Sequence, residues 1–443
     1  MNKLSLLAVA MFIAADAYAG SCVVCPFGYD CSSGMPQKLT DFQEAMEGFG
    51  MTGGGGGFMP PDGVYAKTGW YLEAVEPTHA TQSKHIKIKA GTTFVIGGQA
   101  IVFEEDTNKS LSYSTEGADY DICIDNTLDT TSAEAGATGN SAGIKAVSHN
   151  TACSSATELK IGGFHSMPCE SGDTATLSYG HPYFNTLKGS IMPNSVWTLK
   201  HHPASVEGGY VYDPAMNIWV MIYLPTLVSN ASYYQDTLAN NSIPINQGRY
   251  DYRACRGQTG YCDGAAYPGT YVQANNTTAD TSAAEIDTAT KLVSRYNQRV
   301  ATGMQYREAN DLLAGGGSRP LSDAQFSSAA SGSIEGVYGA STQDYNTACR
   351  TFGDPPTRLN ISNIGVIGMT GEYWQDIEQV ADTSSVNQDG GKGNHSAPGL
   401  RVIAGGHWED NAVYVGSRLR SYSVVYDRYS GYAARGMSPD AWR

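Results

Sequence analysis

Short apolar runs with a period of two, separated by glycine, asparagine and aspartate, most strongly constrain the fold of this chain. His85–Ala90 alternates apolar and polar residues, Thr92–Ile96 is rich in β-branched residues, and a single glycine separates the two runs. Such runs are typical of strands joined by tight turns. Similar runs continue to about Ser195. They predict an all-β domain over residues 63–195, either a sandwich or a small domain with meander connections.

The chain after this β-rich region mixes strands with helices. Strand patterns occur at Tyr210–Tyr212, at Ile218–Leu224 and again after Arg358. Ser322 and Gln325 form a capping-box pattern, which predicts a short helix through Ala330. Apolar residues at steps of three and four predict an amphipathic helix, and they are Ile286, Ala289, Val293, Tyr296 and Val300. We therefore expect an α+β domain over residues 196–443.

The N-terminal residues have the pattern of a secretory signal. Lys3 precedes an apolar stretch, and Ala17-Tyr18-Ala19 places small residues where a signal peptidase cleaves, so residues 1–19 are the predicted signal peptide. The apolar stretch is short for a transmembrane anchor. A lipoprotein signal with Cys22 as the acylated residue is the alternative, although the usual leucine three places earlier is missing. The sequence predicts an exported protein at the cell surface or outside it, with a membrane tether through the N-terminus under the lipoprotein alternative.

The nine cysteines fit an oxidising compartment. Disulfides are favoured over zinc, because Cys22 and Cys25 form a CxxC pair without a second such pair to complete a site. Cys255 and Cys262 are the best candidates for a local disulfide, and the odd total leaves one thiol over. Residues 20–62 contain the Cys cluster, a helix-like patch and the glycines at 53–57 before Pro60-Pro61, and they predict a tether and linker.

Charge and composition exclude one class of partner. The chain has 28 Lys and Arg against 43 Asp and Glu, a net charge of −15, so it lacks the basic surplus that nucleic-acid binding requires. Only 16% of its residues are charged, while its 28 tyrosines supply a residue type common at binding surfaces.

Five blocks in order resemble the variable proteins of diversity-generating retroelements and the related phage tail-fibre tips. The resemblance covers roughly the last 280 residues, and its ordered blocks are far more specific than any one of them. The blocks are Ile161–His165 with Gly189–Pro203, Glu207–Tyr212 with Trp219–Leu224, Leu321–Phe326 with Ala330–Gly336, Ile361–Val366 with Met369–Gln375, and Ala404–Trp408 with Gly416–Arg418 and Ala433–Gly436.

The resemblance implies a C-type-lectin fold of the subtype found in formylglycine-generating enzymes. It implies a rigid scaffold, a variable segment at about 401–436, and diversification by a retroelement. The scaffold residues implied are Trp197, His202, Trp219, Trp374, Gly405, Gly406, Trp408, Gly416, Arg418 and Arg435. An enzyme of that type needs a reactive cysteine pair in the C-terminal part, but the last cysteine is Cys349, so we expect no enzyme and no catalytic residues. The alternative is a fixed-sequence adhesin or a phage receptor-binding fibre tip.

The composition of the closing segment fits adenine-directed diversification. Changing the first two bases of an Asn codon cannot produce Lys, Glu, Gln, Met or Trp. Residues 407–433 contain no Lys, Gln or Met, and the exceptions are Trp408 and Glu409. The same stretch holds five of the tyrosines, and tyrosine buries a large amphipathic ring at low entropic cost. The segment therefore predicts a ligand-binding face.

The residues predicted to contact ligand are His407, Asp410, Asn411, Val413, Tyr414, Val415, Tyr422, Ser423, Val424, Tyr426, Asp427, Tyr429, Ser430 and Tyr432. The alternative for any single tyrosine is a strand aromatic packed in a core. The predicted partner is a variable protein or glycan ligand on another cell or phage. The sequence leaves the identity of the ligand and the oligomeric state open.

The sequence predicts no metal and no cofactor. His165, His181, His201 and His202 lack a carboxylate or cysteine at ligand spacing. Gly315–Arg319 lacks the Lys-Ser/Thr ending of a phosphate loop and follows a helical pattern, so it predicts a helix end and a turn. Asp376, Glu378 and Asp382 do not form a calcium-loop pattern, and calcium binding is left open.

Overall fold

The computed structural model of the chain describes residues 61–75, 84–126, 143–153, 157–168, 182–183, 188–228, 291–296, 300–301, 304, 306–335, 351–352, 358–381, 386–388, 393–395, 400–406, 415–424 and 432–441. Residues Asp62–Arg443 group into one compact unit and Met1–Pro61 into another. The predicted signal peptide, the tether up to Pro60 and the Cys255–Cys262 pair lie outside the described residues. Within these ranges, no helix is both long and apolar enough to cross a bilayer.

The N-terminal part of the larger unit is built from short strands. In chain order they are β1 Gly63–Tyr65, β2 Leu72–Ala74, β3 His85–Ile88, β4 Thr92–Ile96, β5 Gln99–Phe103, β6 Thr107–Ser110, β7 Asp119–Asp125, β8 Ile144–Ser148, β9 Glu158–His165 and β10 Trp197–Thr198. They pair in the orders β1-β4-β5, β2-β3-β6 and β10-β9-β7-β8. Their buried faces share one hydrophobic cluster that includes Phe94, Ile122 and Phe164.

Both strands predicted from the alternating runs are present as β3 and β4. Gly91 joins them with φ +77°, a conformation that glycine adopts without a steric penalty. The turn sends the two strands into different sheets, since β3 pairs with β2 and β6 whereas β4 pairs with β1 and β5. A disulfide between Cys123 and Cys153, with Cα atoms 5.8 Å apart, ties β7 to the segment that follows β8.

The C-terminal part adds further strands and two helices. They are β11 His202–Pro203, β12 Tyr210–Asp213, β13 Ile218–Met221, β14 Thr226–Val228, β15 Lys291–Val293, α1 Tyr306–Gly315, β16 Arg319–Pro320, α2 Asp323–Ala329, β17 Thr351–Phe352, β18 Arg358–Leu359, β19 Trp374–Ala381, β20 Val386–Gln388, β21 Gly393–His395, β22 Leu400–Gly405, β23 Gly416–Val424, β24 Tyr432–Ala434 and β25 Gly436–Ala441.

Two sheets position the C-terminal segment. One has the order β11-β25-β13-β12, with β16 also paired to β25, and the other has the order β23-β22-β19-β24. The large core cluster between the surrounding elements includes Val220, Phe326 and Val402, all fully buried. The last strand of the chain therefore pairs with strands formed more than 200 residues earlier, such as Val220 with Met437.

Local signals predicted the start of α2 and the end of α1. Ser322 caps α2, its hydroxyl accepts from the Gln325 N–H, and the Gln325 side chain accepts from the Ser322 N–H at 2.9 Å. The capping box is thus confirmed. After α1, Gly316 and Ser318 each donate a backbone hydrogen bond to the Leu313 carbonyl, and Gly317 adopts φ +75°. Residues 315–319 therefore end a helix and form a turn, as predicted.

The predicted amphipathic helix through Val293 is wrong. Ile286 and Ala289 lie outside the described residues, but Lys291–Val293 is strand β15 and pairs antiparallel with β14, with Val293 opposite Thr226. Leu292 and Val293 are both buried. An amphipathic helix would not need to bury both of these adjacent residues. The pairing with β14 satisfies these backbone groups, so tertiary context overrides the spacing of three and four.

The predicted boundary at residues 195 and 196 stays a prediction. The N-terminal cluster runs from Ala66 to Val196, whereas the large core draws mainly on later residues and also on Met167, Tyr183 and Met192. Strand β10 joins the two parts, because Trp197 and Thr198 pair with Gly163 and Gly162 of β9.

Candidate functional site

The C-terminal sheet carries the described part of the predicted variable segment. Strand β22 pairs antiparallel with β23 and with β19, and β24 runs parallel to β19 with Tyr432 opposite Trp374. One face of the sheet contributes Leu400, Val402 and Ala404 to the large core. Trp374, Ile403 and Leu419 form a separate cluster, against which Tyr432 packs, and we call this group of four the outer-face cluster.

The structure describes five of the predicted ligand contacts. Tyr422 lies on the edge strand β23 and is 37% exposed, and Ser423 and Val424 complete that strand. Tyr432 begins β24 and is half-buried, while Val415 precedes β23 and is buried at 5% exposure. The others lie outside the described residues, namely His407, Asp410, Asn411, Val413, Tyr414, Tyr426, Asp427, Tyr429 and Ser430.

A buried ion pair lies beneath Tyr432. Arg401 Nη1 is 3.1 Å from Asp376 Oδ2, and both side chains are essentially inaccessible to solvent. The Arg401 guanidinium carbon is 4.5 Å from the centre of the Tyr432 ring, so the ring covers the cation. Burial raises the pKa of Asp376 to about 6, and the nearby Arg401 charge opposes this shift. A predicted contact residue thus rests on a fixed charged support.

Arg435 joins several segments from the centre of the molecule. It is fully buried, and burial lowers the pKa of its guanidinium to about 9. The guanidinium donates at 2.7–3.2 Å to the side-chain oxygen of Gln375 and to the backbone carbonyls of Met221, Ile222, Ile367 and Gly368. These bonds connect β13 and β19 to the residue between β24 and β25. Because most acceptors are backbone carbonyls, they do not depend on neighbouring side-chain identity.

Arg420 anchors the edge strand β23. Its guanidinium contacts Asp323 in the first turn of α2, donates to Ser327 Oγ at 2.7 Å and also bonds the carbonyls of Ser417 and Leu419. The Arg420 side chain is therefore fixed between β23 and α2. The strand that displays Tyr422 is tied to the scaffold by residues that are not predicted ligand contacts.

Gly405 and Gly406 occupy positions that favour glycine. Their φ angles are +96° and +79°, a region that L-residues rarely adopt. A Cβ on Gly405 would also lie 2.5 Å from the Met369 carbonyl oxygen. Gly416 pairs with Gly405 across the sheet but has room for a Cβ, with its nearest neighbour at 3.8 Å.

The remaining scaffold residues differ in burial. Trp219 is fully buried and Trp374 is 8% exposed, whereas Trp197 and His202 are half-buried and Arg418 is exposed. Trp408 lies outside the described residues. The Trp219 indole N–H donates to Asp440 Oδ1 at 2.9 Å.

Two of the histidines considered as metal ligands pair with carboxylates in the described part of the chain. His165 is 2.8 Å from Asp119 and 2.8 Å from the Tyr223 hydroxyl, and His201 is 2.7 Å from Asp440. No cluster of three or more His, Cys, Asp or Glu residues able to hold a metal occurs among the residues described. Of the residues considered for calcium, Asp376 binds Arg401, Glu378 binds Arg319, and Asp382 lies outside the described residues.

Sequence reasoning missed the acidic residues Asp119 and Asp121 of β7. Burial disfavours the charge of Asp119, but His165 and the Gly209 N–H hold its pKa below the usual value. Asp121 is fully buried and accepts from Lys160, His149 and the Asn150 N–H. The alternation of Asp119 and Asp121 with apolar residues at the start of this strand was the available signal, because buried charges require partners.

Comparison with known proteins reveals relatives of defined role and fold. No family model matches the chain. The tail fiber receptor-binding protein of Bordetella phage BPP-1 is 30% identical over 186 residues, which span 41% of this chain and 43% of that relative. The matched region is thus less than half of the relative's length.

Solved structures extend the likeness over most of the chain. The I1 and P3c variants of the Major Tropism Determinant each superpose with a TM-score of 0.55 and 18% identity, covering 86% of this chain and 87% of theirs. The M1 variant gives 0.52 and 20% identity over 82% of this chain and 83% of its own. The predicted resemblance is confirmed, and the C-type-lectin-like fold is the one shared with these proteins.

Proposed function

We propose that this protein is an exported, surface-displayed ligand-binding protein whose C-terminal face varies in sequence while its scaffold stays constant. The observation that carries the proposal is the fold shared with the Major Tropism Determinant variants over 86% of the chain. The partial relative named as a tail fiber receptor-binding protein supports a binding role and gives no support to an enzyme. The ligand is a protein or glycan on another cell or phage.

The contacts of the scaffold support such a division of roles. Arg435 binds backbone carbonyls, Arg401 pairs with Asp376, and Arg420 fixes β23 against α2. None of these bonds uses the side chain of a predicted variable residue. Substitutions on the surface of β23 therefore leave the main polar contacts of the scaffold intact. We also propose that the fold belongs to the formylglycine-generating-enzyme-like subtype and that the two domains meet between residues 195 and 196.

Diversification by a retroelement is the finer part of the proposal. It is motivated by the absence of Lys, Gln and Met from residues 407–433 together with five tyrosines there. Sequencing the DNA next to the coding region tests it. We expect a reverse-transcriptase gene and a near-identical repeat of the closing segment that differs at adenines. A locus with neither feature would overturn retroelement diversification and favour the fixed adhesin or fibre tip.

A further inference from the structure

A cleft lies between β9, the residues that follow β8 and the segment 197–210. Its volume is about 510 Å³, within the usual range for small-ligand sites. The lining residues that matter here are His149, Lys160, Trp197, Lys200, His202 and Val206. None belongs to residues 407–433. Val206 is 72% exposed, so its side chain stands at the solvent side of the cleft.

Trp197 forms an aromatic wall that is held in place. A Cβ at Gly163 would come within 2.4 Å of the indole, so that strand approaches the ring as closely as glycine permits. The rings of His149 and His202 stand edge-on to the indole, each with a centroid separation of 6.4 Å. Trp197 is half-buried and lines the cleft, and Lys160 Nζ lies 5.2 Å from the centre of its ring. A fixed, partly exposed indole beside polar groups suits the apolar face of a sugar ring.

The cleft is basic in a chain that is acidic overall. Its lining carboxylates are already engaged, because Asp119 binds His165 and the Gly209 N–H, and Glu207 contacts Lys291 and Arg295. The buried Asp121 accepts from Lys160 at 2.5 Å and from His149 at 2.7 Å. When the lining residues and these partners are counted together, basic side chains outnumber carboxylates. The chain as a whole has a net charge of −15, so this local excess has the opposite sign to the overall charge.

His149 contributes a positive charge to this group. Its Nδ1 faces Asp121 Oδ1 at 2.7 Å and its Nε2 faces the Val206 carbonyl at 3.1 Å. Both partners accept hydrogen bonds, so only the doubly protonated imidazolium can satisfy both. Burial alone would lower the pKa of His149, but the Asp121 carboxylate outweighs it and raises the pKa.

We propose that this cleft binds a carboxylate-bearing saccharide. The sugar ring packs on Trp197, and the carboxylate lies towards Lys200 and His202. Among the described residues that line the cleft there is no arginine fork, and no helix N-terminus points into it, so the arrangements that best recognise phosphate are missing. None of the residues lining the cleft is a predicted variable residue, so the cleft keeps its lining when those residues vary.

Isothermal titration of the full-length mature protein tests this proposal. The probe is a hexasaccharide of alternating glucuronic acid and N-acetylglucosamine, compared with its carboxyl-reduced form and with acetate. We expect saturable binding of the acidic hexasaccharide with Kd of about 1 mM or tighter. The reduced form should bind about tenfold more weakly, as expected for loss of a hydrogen bond to a charged group. Acetate at the same concentration should not compete.

Variants locate the binding in this cleft. Val206→Trp fills the solvent side of the cleft from an exposed position, and Lys200→Gln removes one cation. Both should weaken binding at least tenfold without changing Tm by more than a few degrees. Lys89→Gln is the matched control, because Lys89 pairs with Glu73 at a half-exposed site outside the cleft lining. Absence of binding, equal binding of the reduced form or acetate, or full binding by Val206→Trp would each overturn the proposal.

Discussion

A few buried side chains at the centre of the molecule hold the scaffold together without using the side chains of the predicted variable surface. The Arg435 guanidinium alone donates to backbone carbonyls of two separate segments. Several pairs of side chains would otherwise be needed to connect those segments. Arg401 and Asp376 supply a second buried support under Tyr432. Such buried, paired charges are costly to disturb, since removing one partner leaves the other unsatisfied.

Replacing Arg435 tests this role directly. Arg435→Met removes the donors and leaves buried carbonyls without partners, so we expect a loss of about 3–5 kcal/mol in the free energy of unfolding. Urea denaturation measures the loss. Arg418→Met is the control, because Arg418 is exposed in the same C-terminal region and should change stability by about 0.5 kcal/mol or less. Equal effects of the two substitutions would show that Arg435 does not hold these segments together.

His149 makes stability depend on pH. Its pKa is raised in the folded protein, mainly by Asp121 against the opposing effect of burial, while Asp119 adds to the rise and Lys160 lies on the same carboxylate. The stabilisation is therefore complete below the unfolded pKa of about 6.5 and is lost as pH rises through the higher folded value. Unfolding free energies between pH 6 and pH 9 should fall more steeply in the wild type than in His149→Gln. Parallel curves would contradict the charged state of His149.

The predicted elements show which structural information is local. The capping box at Ser322 and the turn at Gly315–Arg319 depend on residues within a few positions, and the structure contains both. The strand at Lys291–Val293 depends on β14, about 65 residues earlier, and local spacing indicated a helix instead. The pairing of Cys123 with Cys153 and the contacts of Asp119 and Asp121 are likewise set by tertiary neighbours.

The pair of strands β22 and β23 contains a matched test at two scaffold glycines. Gly405 has φ +96° and no space for a Cβ, whereas the opposite residue Gly416 has space. Gly405→Ala should therefore lower the free energy of unfolding by about 1–3 kcal/mol, and Gly416→Ala should have little effect. Chemical denaturation of the two variants measures the difference. A tolerated Gly405→Ala would show that this turn does not require glycine.

At the scale of the whole molecule, the order and content of the sequence blocks predicted the resemblance to known proteins. The five ordered blocks span both parts of the larger unit, and the solved relatives superpose over 86% of the chain. The candidate ligand contacts followed from the composition of residues 407–433, and Tyr422 is exposed on the edge strand. The cleft at Trp197 could not be predicted from the sequence. Its walls come from β9, the residues after β8 and the 197–210 segment, which meet only in the folded chain.

The central claim is that a constant scaffold supports a face of variable sequence. A display library that randomises the predicted contacts, other than the buried Val415 and the packed Tyr432, tests it most directly, with protease resistance as the measure of folding. A second library randomises an equal number of buried residues of the large core. We predict that most members of the first library fold and that few of the second do. Loss of folding in most members of the first library would contradict the claim.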